Sequence, residues 1–340
     1  MVAGADAAAA RKVAESAAWD GTRLVFTGTD GMRRTLELDF VPGSDEGRYD
    51  PKTVSRRITE QFLTVPPDDY LPVGYSAPGW LAKGYGWKQR IFYATASLWA
   101  TALDNARQFG ERDLEGRLVS AFEPYLGEKA WMLAPKFHVD YNVVGAVPLA
   151  VARLSGDARA RKVGLELADY QWSEPTEKTE IVMKYATLDE CRARWKDGYS
   201  GETRLWIDDM YMINLLQTEA YKLTGDAKYI RRAAREMCLY LDELQRPDGP
   251  FNHAPDVPFV WGRGAGWMAA GMPLVLSQMK QGDEFYDRIL AGYRKMMDRL
   301  LECQRGDGMW GQLVDDPESW SETSGTAMFA YAIAMGVERG

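Results

Sequence analysis

The stretches "RLSGDARARKVGLELADYQW" (153–172) and "KLTGDAKYIRRAAREMCLYLDEL" (222–244) repeat one order of signals. Each closes a helix at a Gly, supplies an Asp to cap the next one, and runs on as a new amphipathic helix. Gly suits the left-handed stop because it has no Cβ, and the Asp carboxylate can accept the first free N–H groups of the following helix. "QMKQGDEFYDRILAGYRKMMDRLLECQ" (278–304) is a looser third copy. A second echo joins "LQRPDGPFNHAPD" (244–256) to "CQRGDGMWGQLVDD" (303–316). Each follows a long polar helix and delivers a loop with a D-G turn and an aromatic. Helical hairpins that recur with long loops at one end predict an all-α closed toroid, since an open solenoid would keep a shorter and stricter period.

Two further stretches complete the outline. "RIFYATASLWATALDNARQFG" (90–110) is apolar on most faces, as a buried inner helix would be. "TRLVFTGTDGMRRTLELDF" (22–40) differs: Leu36, Leu38 and Phe40 alternate with polar residues after a T-D-G turn, which predicts a short β-hairpin. The expected organisation is an N-terminal extension over residues 1–50 and a helical barrel over 51–340.

Composition narrows the function. A formal charge of −8 in 340 residues gives no basic stripe for nucleic acid. No apolar run is long enough to span a membrane. The first residues, "MVAGADAAAARKVAESAAW", carry Asp6, Arg11, Lys12 and Glu15 and lack the apolar core of a signal peptide. Cys191, Cys238 and Cys303 are far apart and without metal spacing, so reduced thiols and a cytoplasmic location are expected.

The 2 histidines, His138 and His253, have no ligand partners at metal spacing, so no metal is expected. No nucleophile elbow, P-loop or dinucleotide fingerprint appears, and no cofactor is expected. What remains is carboxylates, aromatics and one arginine. "RLWIDDMYMI" (204–213) sets Asp208 and Asp209 among Trp206, Ile207, Met210 and Tyr211, where ionised carboxylates are costly. One of them could cap the helix that follows, leaving the other unexplained. Asp140, in "KFHVDYNVVGAVPLA" (136–150), stands at the start of an apolar helix, where an N-cap is the plain alternative. "VWGRGAGWMAAG" (260–271) holds Arg263 between glycines and between Trp261 and Trp267; a tight turn with Arg in a salt bridge is the plain alternative there. With 12 Trp and 17 Tyr, the chain can line a cleft that stacks on sugar rings. Paired carboxylates with such aromatics are the equipment of glycoside hydrolysis, and an Arg fork suggests an acidic sugar.

At these residues the sequence resembles the unsaturated glucuronyl and rhamnogalacturonyl hydrolases, glycoside hydrolase families 88 and 105, with family 105 nearer. The matching pieces are "HVDYNVVGAVPLAVARLSGD" (138–157), "LWIDDMYMINLL" (205–216), "FNHAPD" (251–256), "WGRGAGW" (261–267) and "DDPESWSETSGTAMFAYAIAMG" (315–336). The resemblance implies an (α/α)6 barrel and release of a 4,5-unsaturated uronic acid from the non-reducing end of lyase-generated oligosaccharides. In that reaction an Asp protonates C4, water adds at C5, and the hemiketal opens to free the aglycone. It also implies that Asp208 and Asp140 are the catalytic carboxylates, that His253 and Arg263 contact the substrate, and that Trp261, Trp267, Trp206 and Trp87 line its site. As a proton donor, Asp208 is expected to have a raised pKa and to give an acidic pH optimum.

Two departures bear on the aglycone. Ala265 stands where the family loop usually has Asn, and "WKDGYSGETRLWID" (195–208) lacks the His-Lys pair of rhamnogalacturonyl-type members. Lys196, Tyr199 or Arg204 are the possible substitutes. The expected partner is an unsaturated oligosaccharide, acted on by a monomer or homodimer with no nucleic acid or membrane. A conventional inverting glycosidase, or an inactive sugar-binding toroid, is the alternative. A metal-binding Asp-rich helix is disfavoured because "DDMYM" lacks a further Asp four positions on.

Overall fold

The computed structural model describes residues 16, 18–20, 23–27, 31–37, 50–64, 91–133, 138–177 and 187–339. The expected hairpin is part of a three-stranded antiparallel sheet in the order β1 (Ala18–Asp20), β2 (Arg23–Thr27), β3 (Arg33–Glu37). Val25 pairs with Ala18 on one side and Thr35 on the other. Leu38 and Phe40 lie outside the described residues.

Among the described residues after it, helices joined by loops make up the rest of the structure. The helices are α1 (Pro51–Leu63), α2 (Tyr93–Gln108), α3 (Arg112–Ser120), α4 (Val139–Asn142), α5 (Ala146–Ser155), α6 (Ala158–Tyr170), α7 (Leu188–Lys196) and α8 (Asp209–Thr224). They continue with α9 (Ala227–Leu244), α10 (Gly262–Leu276), α11 (Tyr286–Cys303) and α12 (Thr323–Arg339). Helices α2, α5, α8, α10 and α12 pack on one another in that order as an inner layer. Helices α3, α6, α9 and α11 each pack outside the inner helix that precedes them. This alternation is the course of an (α/α)6 barrel.

Burial follows the two roles. Helix α8 buries every residue from Asp209 to Ala220, and α5 every residue from Ala146 to Ala152, as inner helices with neighbours on all sides must. Helix α9 buries one broad face, through Tyr229, Ile230, Ala233, Ala234, Glu236, Met237, Cys238, Tyr240, Leu241 and Leu244. In the inner α2, Trp99 is fully buried among Phe62, Phe122 and Tyr125.

The repeated punctuation works as its residues dictate. Gly156 and Gly225 are left-handed (φ 76° and 68°), and each closes an inner helix. Asp157 then accepts from the N–H groups of Arg159 and Ala160, and Asp226 from that of Lys228. The third copy differs: Phe285, itself left-handed at φ 73°, precedes α11, and Asp283 caps nothing in that helix but accepts from the N–H of Lys280. The loop echo is geometric too. Gln245 Nε2 donates to the Gly249 carbonyl and Gln304 Nε2 to the Gly308 carbonyl, both at 2.9 Å. All three cysteines are free thiols, with Cys191 and Cys238 buried. Among the described residues no helix is long and apolar enough to cross a membrane.

Candidate active site

The inner helices all begin at one end of the barrel, and the candidate residues sit at those beginnings. Tyr93 opens α2, Asp140 lies in α4 just before α5, Asp208 precedes α8, and Trp261 and Arg263 flank the first residue of α10. The loop from α9 to α10 is fastened to the segment before α8 by the Ile207 N–H, which donates to the His253 carbonyl at 3.0 Å. The later loop is fastened in turn, with Val314 N–H on the Val260 carbonyl and Gly262 N–H on that of Gln312.

This stitching puts His253 beside Asp208. Nδ1 of His253 is 3.4 Å from Oδ2 of Asp208, and both atoms are buried and otherwise without a hydrogen bond. The His253 ring lies 5.3 Å from Trp261, edge to face, and 5.5 Å from Trp206. Arg263 lies over the Trp261 ring, its guanidinium carbon 4.4 Å from the ring centre. Among the described residues it makes no ion pair, so the salt bridge of the plain reading is absent there. Gly264 makes the close packing possible: a Cβ there would lie 2.9 Å from the Trp261 ring, 3.0 Å from Ile207 and 3.2 Å from His253 Nδ1.

The adjacent aspartates have separate surroundings. Asp208 stands at the N-cap position of α8, yet its side chain makes no capping bond. Asp209 is fully buried and caps nothing either. Its Oδ2 accepts from the Arg204 backbone N–H at 3.1 Å and the Tyr240 hydroxyl at 2.8 Å. Its Oδ1 accepts from Arg204 Nε at 3.0 Å and Nη2 at 2.6 Å. The chain reaches this arrangement through Leu205, held left-handed at φ 58° with its N–H on the Tyr240 hydroxyl. That conformation costs a branched residue about 1–2 kcal/mol, which the surrounding bonds offset.

Asp140 is not a cap. His138 holds that position, its Nδ1 accepting from the Asp140 N–H at 3.1 Å. The Asp140 carboxylate turns instead to Arg204, whose Nη2 reaches its Oδ1 at 3.1 Å. Arg204 is 7% exposed, with its guanidinium 4.9 Å from the Trp206 ring centre. It is therefore committed to the aspartates and is no substitute for the missing aglycone contacts.

The electrostatics follow from one cation among several acids. Burial pushes Asp208 up to about 7, Asp209 and Asp140 push the same way, and Arg204 opposes them. Burial also raises Asp140, against the pull of Arg204 and His138. His253 is lowered, chiefly by burial, so its imidazole is neutral at pH 7. Tyr93 is raised by burial and by the charge of Asp140, with Arg263 and Asp208 also acting on it. It therefore belongs to the site, although the sequence reading passed over it. Its ring meets Trp267 edge to face at 5.9 Å, and Trp267 in turn lies 4.7 Å from Tyr211. Thus Asp208, His253, Trp206, Trp261 and Arg263 form one group, joined by Arg204 to Asp140 and by Tyr93 to Trp267. Trp87 lies outside the described residues. Among the described residues no cluster of His, Cys, Asp or Glu could hold a metal ion.

Comparison with known proteins agrees with this architecture. The unsaturated 3S-rhamnoglycuronyl hydrolase of Alteromonas sp. (strain LOR) is 26% identical over 294 residues, covering 80% of this chain and 66% of that protein. The unsaturated rhamnogalacturonyl hydrolase YesR of Bacillus subtilis is 23% identical over 207 residues, 58% of each chain. The chain thus spans less than two thirds of the length of these curated relatives. Among solved structures, a possible member of the GH105 family from Klebsiella pneumoniae superposes with a TM-score of 0.64 at 18% identity, covering 88% of this chain and 78% of that one. A glycosyl hydrolase family 88 structure from Bacteroides vulgatus gives 0.60 at 16% identity, with 85% and 80% covered. These two show the shared barrel fold. A family model described as Glycosyl Hydrolase Family 88 matches residues 80–340, most of the sequence, and the chain belongs to that family.

Proposed function

We propose that the chain is a hydrolase that releases a 4,5-unsaturated uronic acid from the non-reducing end of lyase-generated oligosaccharides. The observation that carries this reading is the state of Asp208, a buried carboxyl pushed up to about 7 beside a neutral imidazole. Protonating a carbon centre requires an acid that still holds its proton near neutral pH, and Asp208 meets that requirement. Relatives named as unsaturated rhamnoglycuronyl and rhamnogalacturonyl hydrolases support the substrate class.

In this reading the Asp208 hydroxyl gives its proton to C4 and a water oxygen bonds to C5. The proton that water loses returns to the Asp208 carboxylate. The C5 hemiketal then opens at the ring oxygen, which leaves C1 as a hemiacetal that expels the aglycone. No group attacks C1 directly, so the usual pair of carboxylates flanking the glycosidic bond is not needed. Asp140 is the second acid of the site, and His253 contacts the substrate beside Asp208. Arg263, free of ion pairs among the described residues, is assigned to the uronate carboxylate. Trp206, Trp261, Trp267 and Trp87 supply stacking surfaces.

Residues 51–340 form the catalytic domain and 1–50 an extension. The free thiols support a reducing, cytoplasmic setting, with the enzyme acting as a monomer or homodimer without nucleic acid or membrane. The test is loss of the ultraviolet absorbance of the conjugated C4=C5 bond over a panel of rhamnogalacturonan, ulvan and glucuronan lyase products. Sugar release with the absorbance intact would overturn the reading in favour of a conventional glycosidase.

A further inference from the structure

Three aspartates share this end of the barrel with one buried guanidinium, and the bonding divides them unequally. Arg204 spends Nε and Nη2 on Asp209 Oδ1, spends its backbone N–H on Asp209 Oδ2, and extends Nη2 to Asp140 Oδ1. Among the described residues no ion pair joins it to Asp208, whose Oδ2 faces only His253 Nδ1. Tyr240 completes the device from α9, donating its hydroxyl proton to Asp209 and holding the left-handed Leu205 that turns Arg204 back onto the helix start.

We propose that Arg204 is a positioning residue that sorts the three aspartates, bonding Asp140 and Asp209 and leaving Asp208 with no cation bonded to it, as the one that serves as the acid. The inference rests on the proposed hydration reaction for its kinetic readout, though the sorting itself is a property of the free protein. The physical reason is local neutralisation. A bridged carboxylate gains a charge-assisted bond, whereas Asp208 sits among negative neighbours in an apolar pocket with no cation bonded to it. The remaining groups that face these aspartates do not supply a second cation at Asp208. His253 is neutral, and Tyr93 from α2 is held in its protonated form. His138 lies on the Asp140 side, at 3.8 Å from its Oδ2. Arg263 from α10 stands over Trp261. Behind Asp209, burial raises Glu202 well above the ordinary range and Glu236 to about 7, so both are neutral at moderately acidic pH. Glu202 accepts from Asn142, and Glu236 accepts from Ser200 and Thr203.

Two substitutions with opposite expected signs test the sorting. Arg204→Gln removes the positive charge, so Asp208 and Asp140 both hold protons more strongly. Both limbs of the kcat/KM profile then move to higher pH, the acid limb of the bonded Asp140 by about 1 unit and the alkaline limb of Asp208 by less, and Arg204→Lys restores most of the shift. Asp209→Asn removes a negative neighbour, so the alkaline limb moves down by about 1 unit. A merely structural role would lower the active fraction without moving either limb. The second readout needs no turnover: 13C-carboxyl NMR titration of Asp208, assigned by its loss in Asp208→Asn, in the wild-type and Asp209→Asn proteins. A downward shift of the Asp208 titration in Asp209→Asn supports the proposal even if Arg204→Gln does not fold. An unmoved titration overturns it, whatever the enzyme's substrate proves to be. Failure of the wild type on every unsaturated oligosaccharide, with the titration shifted as expected, overturns only the reaction.

Discussion

Oδ2 of Asp208 and Nδ1 of His253 face each other at 3.4 Å, each buried and neither engaged elsewhere. With Asp208 raised to about 7 and His253 lowered, the proton that the two share below pH 7 rests on the carboxyl, and no ion pair forms. An ion pair would put the proton on the imidazole and leave a carboxylate unable to act as an acid. The apolar neighbours that make Asp208 costly as a carboxylate are what keep it a carboxylic acid.

Replacing Asp208 with Asn should separate activity from stability. Asn keeps the shape but has no acid proton to give, so kcat should fall by about 10²- to 10⁴-fold. Stability should move the other way. The folded pKa of about 7 lies above the ordinary carboxylate value of 3.8, so wild-type stability is full below the latter and declines until pH passes the former. The decline amounts to a few kcal/mol, on the order of 1.4 kcal/mol per pKa unit. Asp208→Asn escapes it, so the variant should be the more stable protein at about pH 8 and nearly matched to wild type at about pH 4. Urea denaturation at the two pH values checks this.

The pH dependence of the wild-type reaction follows from the same group. On the alkaline side, kcat/KM should fall as pH passes about 7, where Asp208 loses its proton. On the acid side it should fall as Asp140, itself raised by burial, takes one up. The optimum is therefore mildly acidic. A profile flat through pH 7 to 9 (about that range) would remove Asp208 from the role of acid.

Local signals in the chain announce these features unequally. Gly156 with Asp157, and Gly225 with Asp226, could be read from sequence because a left-handed stop and a side-chain cap involve only nearby residues. Asp208 and Arg263 stood out as charges in apolar, aromatic runs. The bonding of Arg204 was not legible, since Asp140 is 64 positions away and Tyr240, which shares Asp209 with it, comes from a different helix. Tyr93 was hidden for the same reason. Alone it is one aromatic in a run that predicts core, and only the barrel sets it against Asp140 and Arg263. The third repeat misled because Asp283 stands three residues before the true helix start at Tyr286.

Arg263 offers a test of the uronate contact. Its guanidinium rests on Trp261 and makes no ion pair among the described residues, so removing it leaves no buried partner charge behind there. Arg263→Ala should raise KM for the unsaturated oligosaccharide about 10- to 100-fold, the range of a lost charge-assisted bond. The unfolding midpoint should change little. Arg263→Lys keeps the charge but loses the fork, and should fall between the two. Unchanged KM in both variants would place the carboxylate elsewhere.

Gly264 tests whether the site depends on close packing around His253. An added Cβ would meet the Trp261 ring at 2.9 Å, Ile207 Cγ2 at 3.0 Å and His253 Nδ1 at 3.2 Å, so at least one must shift. Ile207 belongs to the barrel's hydrophobic core, so Gly264→Ala overpacks that core by one methyl and should cost about 1–3 kcal/mol. Activity is more sensitive, because Ile207 is bonded to His253 and immediately precedes Asp208. A displacement of about 1 Å there can cost 10²-fold in rate. Gly264→Ala should therefore remain folded by circular dichroism yet lose most of its kcat. A variant that keeps full kcat would mean that Trp261 alone yields, and that the spacing of His253 and Asp208 does not depend on this glycine.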